Sequence, residues 1–118
     1  MTFDGGAAGK QGTGGFLVWG RRAQLWKVAA VWYGSKATTN NVAKGYALLD
    51  TLEWLAIVDV DCRLMVLVLG DSWLVVYFIM RQAKPKVQAL ALTTEWLSLL
   101  KRLWGTRMAV HHIPREQN

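Results

Sequence analysis

Asp4 and Asp71 are the residues whose type and setting best suit chemistry. Asp4 closes the stretch Met1-Thr2-Phe3-Asp4, and Asp71 follows the apolar run that ends at Gly70. Carboxylate oxygens are hard donors of the kind Mg²⁺ prefers. Other chemistries are poorly supplied. The single cysteine, Cys62, excludes an internal disulfide and any Cys-rich zinc site. The glycine-rich stretch from Gly5 to Gly15 lacks the Gly-Lys-Ser/Thr ending of a phosphate loop, and no helical pattern follows it. His111 and His112 are adjacent in a strand-like segment, which turns one side chain inward and one outward and reads as structural.

Bringing the two aspartates together requires a sheet. Met1 to Asp4 reads as a first strand and Gly5 to Gly15 as a glycine-rich turn. Phe16 to Trp19 and Leu25 to Tyr33 read as strands joined through Gly20-Arg21-Arg22. Thr38-Thr39-Asn40-Asn41 is a cluster of helix-capping residues. The helix it starts runs to about Ile57, with Leu48, Leu52 and Leu55 on one face, widened by Tyr46 and Leu49. Leu64 to Leu69 is continuously apolar, as in a strand covered on both faces. Ser72 to Met80 reads as a short apolar helix and Arg81 to Lys86 as a basic linker. Val87 to Trp104 reads as a long helix with Leu92, Trp96, Leu99 and Leu103 as its stripe. Gly105 stops it, and Met108 to Ile113 forms the last strand. The order β-β-β-α-β-α-α-β predicts a mixed sheet with helices on its faces. Asp4 closes its first strand and Asp71 its fourth; that those strands are central neighbours, so that the two aspartates meet at one edge, is what the resemblance described next implies.

That order resembles the ribonuclease H type-1 domain, and five local segments carry the resemblance. Phe3-Asp4-Gly5-Gly6-Ala7 is similar to the first-strand motif, and Gly12-Thr13-Gly14-Gly15-Phe16 to the entry into the second strand. Thr39-Asn40-Asn41-Val42-Ala43 is similar to the start of the first helix. Gly70-Asp71-Ser72-Trp73-Leu74-Val75 is similar to the fourth-strand motif, and His112 to Asn118 to the segment before the family's last catalytic aspartate. The resemblance implies a single three-layer α/β domain, with a mixed five-stranded sheet of antiparallel meander plus parallel strands flanked by helices.

The resemblance also implies a chemistry. The family cleaves the RNA strand of an RNA–DNA hybrid endonucleolytically, using two Mg²⁺ (or Mn²⁺) ions held by three aspartates and a glutamate. Asp4 and Asp71 match two of the catalytic and metal-binding carboxylates. The glutamate should directly follow the Thr-Asn-Asn-x-Ala run, and this chain has Lys44 there. An ammonium cannot ligate Mg²⁺. The last aspartate lies beyond the position matched by Asn118, so the reading expects a domain truncated before it. For nucleic-acid binding, Gly5, Gly6 and Ala7 match positions that touch the RNA strand. Thr39, Asn40 and Asn41 match positions beside the DNA strand, and Lys84 and Lys86 resemble a basic segment that holds the hybrid. Two readings follow. One is a Mg²⁺-dependent hybrid ribonuclease impaired in this copy. The other is a non-catalytic hybrid-binding module or a decayed retroelement remnant.

Composition is consistent with a nucleic-acid partner. The chain has 118 residues, enough for one domain, and a formal net charge of +6. Leu64 to Met80 is near the short limit for a membrane span, but Gly70-Asp71-Ser72 splits it, so no membrane association is expected. No N-terminal signal pattern is present, which leads to the expectation of an intracellular chain, nuclear or cytoplasmic. The expected state is a monomer or part of a larger polyprotein, such as one carrying a reverse transcriptase.

Overall fold

The computed structural model describes residues 1–37, 39–73, 75, 76 and 88–118. Its elements are β1 (Thr2–Ala8), β2 (Gln11–Trp19), β3 (Leu25–Gly34), α1 (Asn40–Val58), β4 (Val66–Gly70), α2 (Gln88–Trp104) and β5 (Met108–His112). The strands form one five-stranded sheet in the order β3-β2-β1-β4-β5. The first three pair antiparallel, while β4 runs parallel to both β1 and β5. A parallel neighbour cannot be reached by a hairpin, and α1 provides the crossover from β3 to β4. This is the mixed α/β sheet flanked by helices that the ribonuclease H resemblance implies.

The glycine-rich stretch corrects one expectation. It is not a long turn. Gly5 and Gly6 lie inside β1, and Gly12, Gly14 and Gly15 inside β2. The reversal takes only Gly9 and Lys10, at φ of 57° and 60°. A two-residue turn with both φ values positive matches the right-handed twist of the strands it joins. So many glycines allow both tight turns and close backbone approach; here most mark close approach, and the turn is confined to Gly9 and Lys10.

The core lies between the sheet and α1. Phe3, Phe16, Val18 and Val68 enter it from the strands, and Leu48, Leu52 and Leu55 from α1, the face expected for that helix. In β4, Val66 and Val68 are buried while Leu67 is exposed, so this strand alternates and is not covered on both faces as its apolar run suggested.

The expected stripe of α2 is also corrected. Trp96, Leu99 and Leu103 are exposed, whereas Thr93, Leu97 and Trp104 are buried. Two rows of apolar residues run along this helix at helical spacing, and periodicity alone cannot choose between them. Docking chooses. The Trp104 indole donates to Asp59 Oδ2 at 2.8 Å, just past the C-terminus of α1. The same carboxylate accepts from the Arg63 and Leu64 N–H groups, both at 3.0 Å.

Most of the expected Ser72 to Met80 helix, and Lys84 and Lys86 with it, lie outside the described residues. Among the described residues no helix is long and apolar enough to cross a membrane.

Candidate active site

Strand alternation sets the first carboxylate. Phe3 is buried in the core, so Asp4 points to the other side of β1. The parallel register pairs Phe3 with Gly70, which brings Asp4 level with Asp71 immediately after β4. The two aspartates therefore meet at one sheet edge, as expected.

The start of α1 is fastened to the same edge. Thr39 caps the helix, its Oγ1 accepting from the Val42 N–H at 3.3 Å. Asn40 Oδ1 accepts from the Ala7 N–H at 2.8 Å, tying α1 to β1. Asn41 Oδ1 accepts from Ser72 Oγ at 3.0 Å, tying α1 to the segment after β4. Of the glycine positions expected at the RNA strand, Gly5 donates its N–H to Asp4 Oδ1 at 2.8 Å. Gly6 lies beside Asn40.

Lys44 lies one turn beyond Asn40, on the same side of the helix. Its Nζ is 2.6 Å from Asp71 Oδ1 and 3.4 Å from Asp4 Oδ1. The ammonium thus bridges the carboxylates that the sequence singled out. The Lys44 side chain is 8% exposed and that of Asp71 only 2%, whereas Asp4 is 57% exposed. Burial pushes the Asp71 carboxyl upward. Hydrogen bonding and attraction from Lys44, a hydrogen bond from Asn118 and the positive charge of Arg115 outweigh it and hold the group below its usual range.

Asn118 and Arg115 are site residues that sequence reasoning missed. Asn118 Nδ2 also donates to the Phe3 carbonyl at 3.0 Å, so this one side chain ties the C-terminal segment to β1 and to Asp71. The signal was available: Asn118 belongs to one of the five matched segments, but it served there only as a marker for a later residue. Trp73, beside Asp71, is exposed and stacks on His112 with ring centroids 4.6 Å apart.

These residues do not fit a divalent metal. Mg²⁺ needs several hard oxygens in octahedral array. Among the described residues no three His, Cys, Asp or Glu side chains converge. The two carboxylates that do converge already share a cation, and a dication beside Lys44 would meet like-charge repulsion. The centre is an ion cluster in which two carboxylates share one internal ammonium.

Gly5 makes this geometry possible. A Cβ there would lie 2.6 Å from the Ala43 carbonyl carbon and 2.7 Å from its oxygen, and backbone cannot yield as a side chain can. Gly5→Ala is therefore expected to push the start of α1 off β1, costing about 1–3 kcal/mol in a urea titration. Gly6→Ala is the control, because its nearest neighbour would be Asn40 Oδ1 at 3.8 Å. Equal midpoints for the two variants would refute the close-approach account.

No family model matches the sequence, and no curated protein matches it. Solved structures do. LC11-RNase H1, isolated from compost by a metagenomic approach, superposes with a TM-score of 0.86 at 29% identity, over 99% of this chain and 84% of that one. The same enzyme in complex with an RNA/DNA hybrid gives 0.85 at 28% identity, over 99% and 86%. RNase H1 from the halophilic archaeon Halobacterium salinarum NRC-1 gives 0.78 at 21% identity, over 98% and 85%, a likeness of fold alone. With the strand order, the crossover helix and two aspartates at one edge already in place, the chain is an RNase H-like domain.

Proposed function

We propose that this chain binds RNA–DNA hybrids through its RNase H-like surface and that hydrolysis at its centre is impaired. The observation that carries the proposal is the Lys44 ammonium, 2.6 Å from Asp71 and 3.4 Å from Asp4. Cleavage in the family depends on divalent cations at this place, and here an internal cation occupies the oxygens they would need.

Binding does not share that dependence. LC11-RNase H1 forms a complex with an RNA/DNA hybrid, and its likeness covers nearly all of this chain. The net charge of +6 favours a polyanion. Asn40 and Asn41 accept hydrogen bonds through their Oδ1 atoms, leaving their amide N–H₂ groups as donors at the helix start. Lys84 and Lys86 add basic charge in the sequence. Phosphate contacts of this kind make affinity fall steeply with salt.

A labelled hybrid tests both halves. It should be shifted by the protein at low salt and released as salt rises. Incubation with Mg²⁺ or Mn²⁺ should leave its RNA strand uncut over a period in which an active RNase H1 cuts it completely. Metal-dependent cutting that disappears in Asp71→Asn would overturn the impairment. Failure to shift hybrid at low salt would overturn the binding.

A further inference from the structure

Beside the ion cluster runs an open groove of about 670 Å³, lined by Asp4, Gly5, Gly6, Thr13, Gly14 and the β3 residues Ala30 to Trp32. Its floor is strand backbone: a Cβ at Gly5 or Gly14 would point away from it, toward α1 and Tyr33, and Gly6 lays no side chain over it. One end is the Asp4 carboxylate. The far wall is Trp32, on the edge strand β3, with 68% of its surface exposed. The register pairs Trp32 with Thr13, so the indole and the threonine stand side by side. Gly34, at φ 60°, brings its backbone so near that a Cβ there would lie 3.3 Å from two atoms of the indole.

An exposed indole has two uses. It can anchor a protein partner, or it can stack on a base. The position of this one favours the base. Trp32 shares its groove with Asp4, which belongs to the ion cluster, so the groove is continuous with the proposed hybrid site. The turns at this end of the sheet carry Lys10 and Lys36, both exposed, which suits a phosphate chain. The pairing of Gly12 with Gly34 sets those two turns next to each other. Inside a duplex the faces of a base are already stacked, so an indole gains most from an unpaired one.

Building on the hybrid-binding reading above, we propose that Trp32 is a stacking platform for an unpaired nucleotide where a strand leaves the hybrid, with the strand backbone at Gly6 beside it receiving its sugar–phosphate. This places Trp32 outside the surface that holds the duplex itself, and it gives the domain a preference for hybrids that carry a single-stranded extension.

The test compares a blunt RNA–DNA hybrid with one bearing a short single-stranded extension, at fixed salt, for the wild type, Trp32→Ala and Trp32→Phe. The wild type should bind the extended hybrid more tightly by about 5- to 150-fold, the range for one base stacked on an aromatic ring. Trp32→Ala should erase that preference while leaving affinity for the blunt hybrid and the melting temperature unchanged, since the side chain is largely exposed. Trp32→Phe should keep most of the preference. A wild type without preference, or Trp32→Ala that retains it, overturns the proposal while leaving blunt-hybrid binding intact. Loss of blunt-hybrid binding by the wild type overturns the underlying reading as well. Self-association that Trp32→Ala abolishes, with no change in preference, assigns the indole to a protein interface and also overturns it.

Discussion

Replacing Lys44 with glutamate should turn an ion cluster that contains its own cation into one that needs a bound cation. In the wild type one ammonium lies between two carboxylates, 2.6 Å and 3.4 Å from their oxygens. The substitution leaves three carboxylates around the same point. Two like charges about 4 Å apart repel by about 4 kcal/mol at an effective dielectric constant near 20, so the cluster must either protonate or recruit a cation. Mg²⁺ is well suited, because the three groups now supply the hard oxygens that the wild type lacks.

The effect is read as stability, which separates it from catalysis. In a chelator, Lys44→Glu should melt well below the wild type. Titrating Mg²⁺ should raise its melting point progressively, with about 2.7 kcal/mol recovered at a hundredfold excess over the dissociation constant. The wild type should show no comparable rise, since its cluster already contains its cation. A variant whose melting point ignores Mg²⁺ and Mn²⁺ would mean that Asp4 and Asp71 are too constrained to share an ion with position 44. In that case the ribonuclease H chemistry implied by sequence would not be restored by that residue alone.

The sequence made the site legible through pairs of facts that constrain each other. The family resemblance predicts that Asp4 and Asp71 end neighbouring strands; β1 runs on to Ala8, yet its pairing with β4 stops at Phe3 and Gly70, so the carboxylates still meet where that pairing ends, with no side-chain detail needed. Lys44 stood out because its charge opposes what the matched segment calls for. Its role as a bridge depended on how closely α1 approaches β1, which Gly5 sets through the absence of a Cβ. Such an approach is invisible in a linear pattern, where glycine signals a turn. The contact that Asn118 makes and the setting of Trp32 were illegible for the same reason. Asn118 reaches Phe3 across 115 positions of sequence. Trp32 resembles every other tryptophan in an apolar strand until the register sets it beside Thr13. The α2 stripe failed differently, since two apolar rows satisfied one periodicity and the contact between Trp104 and Asp59 selected the row.

Lys44→Ala tests the cluster from the opposite direction, by removing the cation and supplying nothing in its place. Asp71, with its side chain 2% exposed, would keep only Asn118 and Arg115 against the burial that raises its carboxyl. Breaking a buried pair by deleting one partner costs about 3–5 kcal/mol, a large part of the 5–15 kcal/mol that holds a typical domain together. The pH dependence identifies the cause. In the wild type the folded Asp71 carboxyl is held below its usual range, so it contributes stability that is complete above the unfolded value near 3.9 and lost as pH falls through the folded value. Below that range Lys44 becomes a buried cation without an anionic partner, which weakens the wild type further. In Lys44→Ala that contribution is absent at neutral pH, and an acid no longer leaves an ammonium stranded. The gap between the two proteins should therefore be widest near pH 7 and close as pH drops below about 4, as read by urea midpoints across the range. Lys44→Met keeps most of the aliphatic stem and should show the same closing gap, since the packing it preserves does not titrate. A gap that stays constant with pH in both variants would show that Lys44 acts through its methylenes, and the ion cluster would then not be what holds Asp4 and Asp71 together.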